Sequence, residues 1–181
     1  NNINFLASVR LAKLSKEAGV KRFVFSSSCS VYGFSENFVA EGGILNPATA
    51  YAKSKIDSEN EISKMADEDF SPVFLRNATV YGISPMLRVD LVVNNLVGWG
   101  FTTGKIRILS DGTPWRPLIH VKDLCKAFIA ALKSPNGKIH NQIFNVGQNS
   151  ENYRGMDIAN AAKEAVPNCA IEFSGKPSID S

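Results

Sequence analysis

Tyr51 and Lys55 stand four residues apart in the segment AYAKSKIDSE, which opens a stretch of helical character. Residues at this spacing lie on one face of an α-helix, about 6 Å apart, so the lysine ammonium can lie beside the tyrosine hydroxyl or beside a ligand that touches it. A free tyrosine has a pKa of about 10, and a neighbouring cation lowers that pKa by a few units because it favours the phenolate. The spacing is therefore typical of a proton-transfer pair, with a solvated helix face as the alternative.

A second chemical signal comes from the segment FVFSSSCSVYG (23–33), an apolar strand that ends in hydroxyl side chains. In an open α/β sheet, ligands bind beyond the carboxyl ends of the strands. We therefore expect Ser28 to donate a hydrogen bond to a reacting oxygen beside Tyr51. The alternative is a serine-rich turn without a chemical role.

The elements that must position these residues follow from hydrophobic periodicity and turn residues. Helices are predicted over 3–18, about 50–67, 86–101, 121–134 and 155–166. Strands are predicted over 21–27, 71–77, 78–82, 105–109, 117–120, 142–147 and 169–173. Strands that alternate with helices, and that are apolar along most of their length, indicate an α/β fold with a parallel sheet.

Composition excludes several classes of protein. The chain has 181 residues, 44% hydrophobic residues and a net charge of +3, and no block of like charges suggests a nucleic-acid arm. We expect no metal site and no membrane span, because only two histidines are present and no apolar run reaches about 18 residues. The three cysteines are scattered, which favours reduced thiols and a cytoplasmic protein; they are Cys29, Cys125 and Cys169.

Four motifs together resemble the extended short-chain dehydrogenase/reductase superfamily, in its NAD-dependent epimerase/dehydratase branch. They are GVKRFVFSSSCSVYG, NPATAYAKSK, LRNATVYG and DGTPWRPLIHVKDL, and they occur in the order typical of that branch. The resemblance implies the second half of a Rossmann-type parallel sheet with a smaller C-terminal substrate-binding lobe. The cofactor domain is expected over 1–82 and the lobe over 83–181, with 117–147 returning to the Rossmann sheet.

The resemblance also assigns roles to individual residues. It implies Ser28, Tyr51 and Lys55 as catalytic residues, with Tyr51 as the acid/base group. It implies that the cofactor contacts Tyr51 and Lys55 together with Asn4 and Ala78. It implies that the substrate contacts Ser28, Arg88, Asn95 and Arg116. Arg116, the arginine of DGTPWRPLIH, would bind the diphosphate.

The implied reaction is NAD-dependent epimerisation of a nucleotide sugar, with NADP left open as the cofactor. Cys29 and Ser30 occupy the positions where dehydratases of the family carry Asp and Glu, so dehydration is disfavoured. Cys29 stands one residue after Ser28, and a strand there would point it away from the site that a 3,5-epimerase needs. A ketoreductase, or a non-catalytic dinucleotide-sensing protein on the same fold, remains an alternative. The family also leaves a homodimer open.

The chain lacks the glycine-rich phosphate loop that the resemblance would place upstream. The segment GWGFTTG (98–104) imitates such a loop, but it follows a predicted helix and precedes a strand, so we expect a helix terminus and a turn. His120 and Asp123 are expected to be structural. We expect the 181 residues to be a fragment that binds NAD weakly or not at all, shows no turnover alone and has poor stability.

Overall fold

The structure, a computed structural model, describes residues 2–173, with side chains from residue 3 onward. The strands are β1 (Arg22–Ser28), β2 (Ser71–Asn77), β3 (Thr79–Tyr81), β4 (Lys105–Ile108), β5 (Trp115–His120), β6 (Gln142–Val146), β7 (Asn152–Arg154) and β8 (Ala170–Phe173). The α-helices are α1 (Ala7–Glu17), α2 (Ala50–Ser63), α3 (Val92–Thr103), α4 (Val121–Lys133), α5 (Asn136–Ile139) and α6 (Gly155–Ala165). None of the helices in this described part is long and apolar enough to cross a bilayer.

The chain divides into two compact units, each made of two stretches of sequence. The first unit comprises Asn1–Asn77 and Asp123–Val146, and the second comprises Ala78–Lys122 and Gly147–Ser181. The predicted α/β fold class is confirmed: in the described residues, helices alternate with single strands or pairs of strands, and every strand pairing but that of β5 with β7 is parallel. The roles expected for the stretches 1–82, 83–181 and 117–147 remain predictions.

The first unit is built on a three-stranded parallel sheet in the order β1-β2-β6. All seven residues of the central strand β2 are buried, as expected for a parallel strand covered on both faces. Side chains from α1, α2 and the sheet form its core, which comprises Ala12, Phe25, Ile62, Phe70 and Phe74. This packing fixes α2, which carries Tyr51 and Lys55, against the strand that ends in Ser28.

The second unit contains two small sheets, β3-β5-β7 and β4-β8. Strands β3 and β5 are parallel, as are β4 and β8, but β7 runs antiparallel to β5 and was not expected from the sequence. With only three residues, β7 is too short to give a periodic signal. The core of this unit comprises Leu96, Ile106, Ile108, Leu118, Ile158, Ala159, Ala162 and Cys169.

Several helix boundaries differ from the predictions. The second helix, α2, ends at Ser63 rather than near residue 67, and the short helix α5 was not predicted. The expected turn in GWGFTTG is confirmed: α3 ends at Thr103, and Gly104 caps it with a left-handed backbone, φ 69°. A left-handed C-cap favours glycine, because in this conformation a Cβ would lie too close to the following carbonyl oxygen.

Candidate active site

Tyr51 and Lys55 lie on one face of α2, as their spacing predicts. Thr49 caps this helix, since its Oγ1 accepts a hydrogen bond from the backbone N–H of Ala52 at 3.1 Å. The cap places Tyr51 in the first helical turn, with 45% of the residue exposed. The Lys55 ammonium lies 5.5 Å from the centroid of the Tyr51 ring. The helix therefore brings a cation to an accessible phenol, which is the arrangement that proton transfer requires.

Lys55 is held by the first sheet as well as by its helix. Its ammonium donates a hydrogen bond to the carbonyl oxygen of Ser26 at 2.7 Å and lies 4.9 Å from the ring centroid of Phe25. Partial burial lowers the pKa of Lys55 from its ordinary value, and the negative charge of Glu59 opposes that shift. An ammonium has three donors, and the bond to Ser26 uses one of them.

Ser28 is the last residue of β1 and caps a short 3₁₀ helix, Cys29–Tyr32. Its hydroxyl oxygen accepts hydrogen bonds from the backbone N–H of Ser30 at 3.2 Å and from the Ser30 hydroxyl at 2.9 Å. The prediction that Cys29 continues the strand is wrong. The strand ends because these bonds turn the backbone immediately after Ser28. Cys29 therefore belongs to the 3₁₀ helix, and the alternation of side chains along a strand does not give the direction of its thiol.

A buried polar cluster beside this site was not predicted from the sequence. Glu59 and Arg76 form an ion pair with 2.6 Å between Arg76 Nη2 and Glu59 Oε2, and only 4% and 3% of these residues are exposed. Ser27 and Tyr32 bond to the same pair. Two signals could have revealed the cluster: Glu59 follows Lys55 by one helical turn, and Arg76 is a charged residue in a strand with an apolar centre, residues 72–75.

The first unit also contains Asn4 and Asn77. Asn4 lies in a short π-helical segment (Asn2–Leu6), and its carbonyl oxygen accepts hydrogen bonds from Ser8 at 2.8 Å and from Ser58 of α2 at 3.3 Å. Asn77 ends β2 opposite Ser28 and donates through Nδ2 to the Ser26 hydroxyl and the Ser27 carbonyl. Its buried Oδ1 has no hydrogen-bond partner within the described part of the protein. A buried acceptor without a partner is costly and marks a place where a polar ligand or a water fits.

In the second unit, the predicted location of Arg88 on a helix is wrong, because α3 begins at Val92. Arg88 forms a two-pronged pair with Asp90, from Nε to Oδ1 at 2.8 Å and from Nη2 to Oδ2 at 2.6 Å. The side chains of Asn94 and Asn95 donate to the carbonyl oxygens of Arg88 and Val89. These bonds hold the residues before Val92 as a loop against the first turn of the helix.

A cleft with about 300 Å³ of empty space, part of it open to solvent, lies beside this loop. Arg88 and Tyr81 line it, together with Asn94, which the sequence did not single out. Asn94 also accepts a hydrogen bond from the backbone N–H of Gly82 at 3.4 Å through Oδ1. Asn94 and Asn95 are adjacent in the sequence, and only Asn95 was predicted to contact the substrate. The predicted helix started six residues before the observed one, so it did not show which of the two faces the cleft.

The remaining predicted residues of this unit are Ala78 and Arg116. Ala78 is buried and is the single residue between β2 and β3. Arg116 lies in β5 opposite Tyr153 of β7. His120 ends β5 and packs edge-on against Tyr81, with 5.3 Å between the ring centroids. Asp123 lies in the first turn of α4, as expected. The geometry thus brings Tyr51 and Lys55 together, and it locates Ala78, Arg88, Asn95 and Arg116 in the other unit.

Comparisons with known proteins identify the family to which this chain is related. The model of the NAD dependent epimerase/dehydratase family matches residues 1–147. Human UDP-glucose 4-epimerase is 31% identical over 185 residues, which cover 90% of this chain and 52% of that protein. Since this share is typical, the chain spans about half the length of the curated relatives it matches.

Two solved structures share the fold at similar identity. MoeE5, solved in complex with UDP-glucose and NAD, is 28% identical with a TM-score of 0.82, covering 94% of this chain and 57% of that one. UDP-glucuronic acid 4-epimerase from Bacillus cereus, solved with UDP-glucuronic acid and NAD, is 25% identical with a TM-score of 0.82, covering 96% and 56%. The matched sequence range and the shared backbone lead to one conclusion, that this chain belongs to the NAD-dependent epimerase/dehydratase family.

Proposed function

We propose that this chain carries the acid/base residues of an NAD-dependent nucleotide-sugar epimerase. The observation that carries the proposal is the Lys55 ammonium 5.5 Å from the centroid of the exposed Tyr51 ring. The ammonium is fixed from the other side by the carbonyl oxygen of Ser26, so its charge stays beside the phenol. At this distance a cation stabilises the phenolate and makes Tyr51 a usable base near neutral pH.

In the proposed mechanism, Tyr51 as phenolate removes the proton from a hydroxyl of the sugar. Ser28, at the carboxyl end of β1, hydrogen-bonds the same oxygen while its charge changes, and Lys55 balances the charge of the phenolate. Bound NAD would supply hydride transfer, taking hydride from the sugar carbon and returning it to the opposite face. Tyr51, now protonated, returns its proton to the oxygen and closes the cycle.

The residues of the first unit suit such a cofactor. The carboxyl ends of β1 and β2 present Ser28 and Asn77 side by side, where α/β sheets bind their ligands. The Oδ1 of Asn77, which has no hydrogen-bond partner among the described residues, and the donors of the Lys55 ammonium beyond its bond to Ser26 suit an amide or a ribose hydroxyl. We infer that Asn4, Tyr51, Lys55 and Ala78 contact the cofactor, with NADP as the open alternative.

For the substrate we propose a uridine diphosphate sugar of the glucose type, acted on at C4. The support comes from the relatives named above, which are UDP-glucose and UDP-glucuronic acid 4-epimerases or bind those nucleotide sugars. Arg116 would bind the diphosphate through a two-pronged guanidinium contact, and Arg88 and Asn95 would border the sugar. The expected cytoplasmic location and homodimer belong to the same proposal, which includes no nucleic-acid or membrane partner.

The proposal is tested on the full-length protein with Tyr51→Phe. Loss of the proton acceptor should reduce kcat about 10²–10⁴-fold while bound NAD is retained. The assay incubates the enzyme with UDP-glucose or UDP-glucuronic acid and resolves the 4-epimers by chromatography. The matched control is Tyr153→Phe, which removes a phenol hydroxyl that donates to Glu151 and should leave kcat unchanged. Full activity in Tyr51→Phe refutes the mechanism.

The same assay separates the alternatives. An epimerase regenerates its cofactor in each cycle, so the absorbance of reduced cofactor at steady state stays constant while epimer accumulates. A ketoreductase acting in reverse on these sugars would instead form one reduced cofactor for each ketone product, and a dinucleotide-sensing protein would bind NAD without converting either sugar. Either of these two results replaces the proposed reaction.

A further inference from the structure

One guanidinium group lies at the centre of the buried cluster in the first unit. Arg76 donates through Nε to both oxygens of Glu59, at 3.0 and 3.3 Å, and through Nη2 to Oε2 at 2.6 Å. Its Nη1 donates to the hydroxyl of Tyr32 at 2.9 Å and to the carbonyl oxygen of Glu41 at 3.1 Å. This planar fork fixes direction as well as distance, because Nε and Nη2 bind the Glu59 carboxylate on one side while Nη1 binds Tyr32 and Glu41.

The cluster joins the elements that carry the proposed catalytic residues. Glu59 lies on α2, one turn beyond Lys55 and two turns beyond Tyr51. Ser27, the neighbour of Ser28 in β1, donates a hydrogen bond to Glu59 Oε1 at 2.5 Å. A shift of Glu59 would therefore move the helix of the base relative to the strand of the hydroxyl.

The same group also holds the turn that follows Ser28. Tyr32 ends the 3₁₀ helix, and its hydroxyl oxygen accepts the hydrogen bond from Arg76 Nη1. The same hydroxyl donates a hydrogen bond to Asn145 Oδ1 of β6 at 2.6 Å. Asn145 in turn donates through Nδ2 to the carbonyl oxygen of Val39 at 3.0 Å. Arg76 of β2 thus holds the chain on both sides of Ser28: it holds Ser27 through Glu59 and Tyr32 directly.

Fold stability alone gives no reason for an ion pair at this position. A buried ion pair is often no more stabilising than well-packed apolar side chains of the same volume, because desolvation offsets the attraction. The remainder of β2 is buried, and apolar side chains dominate it, so an apolar pair would suit this core. What an apolar pair cannot do is fix three elements at defined hydrogen-bond distances.

We propose that Arg76 and Glu59 are positioning residues, which set the separation between Ser28 on β1 and the Tyr51–Lys55 face of α2. This inference rests on the proposed function above. Burial alone lowers the pKa of Arg76, but its hydrogen bonds to Glu59 and Tyr32 and the charge of Glu59 outweigh burial and raise the pKa. The Arg76 guanidinium thus keeps its charge and continues to donate its directed hydrogen bonds.

The test is Arg76→Lys in the full-length protein, which keeps the positive charge and removes the fork. We expect kcat per NAD-loaded molecule to fall about 10–100-fold, the effect of a misplacement of roughly 1 Å, while KM changes less than about threefold. The primary deuterium isotope effect on kcat, with sugar deuterated at C4, should rise because the chemical step becomes rate-limiting. The control is Asp57→Asn, which breaks an exposed pair with Lys53 on the same helix and should change none of these values.

A second variant separates positioning from folding. The double substitution Glu59→Met with Arg76→Met fills the space with apolar side chains, so it should unfold at a urea concentration near that of the wild type and still lose at least tenfold in kcat. If Arg76→Lys yields no folded protein, the double variant decides alone. Wild-type kcat per NAD-loaded molecule in either variant overturns the positioning role. Loss of activity in Tyr51→Phe together with that result would leave the proposed function intact, whereas an active Tyr51→Phe would refute the function itself.

Discussion

Replacing Lys55 with Met should move the pH dependence of catalysis, because it removes the ammonium and keeps the apolar stem. The Lys55 ammonium lies 5.5 Å from the centroid of the Tyr51 ring. Two unit charges about 6 Å apart, the spacing of side chains four residues apart on a helix, interact with about 3 kcal/mol if the effective dielectric constant is about 20. The Tyr51 residue is 45% exposed, and a dielectric constant of about 40 would halve this value to about 1.5 kcal/mol. Since one pH unit corresponds to about 1.4 kcal/mol, the ammonium shifts the titration of the base by about 1–2 units.

The sign of the effect follows from the charge state that the mechanism needs. Tyr51 acts as a phenolate, and without the cation the phenolate forms only at higher pH. The ascending limb of kcat/KM against pH should therefore move up by about 1–2 units in Lys55→Met, and activity at a pH below both limbs should fall about 10–100-fold.

The assay measures epimer formation by the full-length enzyme at saturating NAD, from pH 5 to pH 10, so that weaker cofactor binding does not imitate the shift. Lys53→Met is the control, because Lys53 lies on the same helix and pairs with Asp57. A limb that coincides in Lys55→Met and the wild type would refute the electrostatic reasoning, even if kcat were reduced.

Three further predictions concern stability and titration. Phe74→Ala, in a core residue that is 1% exposed, should lower the free energy of unfolding by about 3–5 kcal/mol in urea titrations, and a loss below about 1 kcal/mol would contradict its core role. Gly33→Ala should reduce the Tm clearly more than Gly19→Ala: both glycines have positive φ, but only at Gly33 would a Cβ collide with a backbone carbonyl. The hydrogen bond from Arg88 lowers the pKa of Asp90 to about 2, so Asp90 should titrate near that value when followed by NMR. In Arg88→Ala its pKa should return towards about 3.9. This pair therefore contributes above about pH 4 and is lost as the pH falls towards 2, and an unshifted midpoint would show that the pair does not form in solution.

The sequence predicts the sheet of the first unit well because its strands are both apolar and sharply bounded. Strand β2 is predicted to the residue, since Ser71–Asn77 follows a polar turn and is buried on both faces. The pairing of Tyr51 with Lys55 is equally readable, because helical geometry alone brings residues four apart together. Local periodicity contains both of these features.

The remainder depends on contacts between distant residues, which no local pattern records. Arg76 meets Glu59 only because β2 packs beside α2; the sequence marks each charge as unusual for its place, but no local window pairs the two residues. Similarly, the apolar residues near Arg88 suggest a helix, but side-chain bonds to backbone carbonyls from Asn94 and Asn95 hold that stretch as a loop. Tertiary hydrogen bonds override helix propensity there.

The discontinuous first unit has a consequence for the protein while it is still being made. Strand β2 must pair with β6, so that Asn77 lies opposite Val146, and the residues of the second unit up to Lys122 are translated in between. At about 5–20 residues per second, the ribosome needs on the order of several seconds to deliver the missing strand. Throughout that interval the nascent chain presents one open edge of the strand that ends up fully buried, which makes β2 a segment on which a chaperone could act.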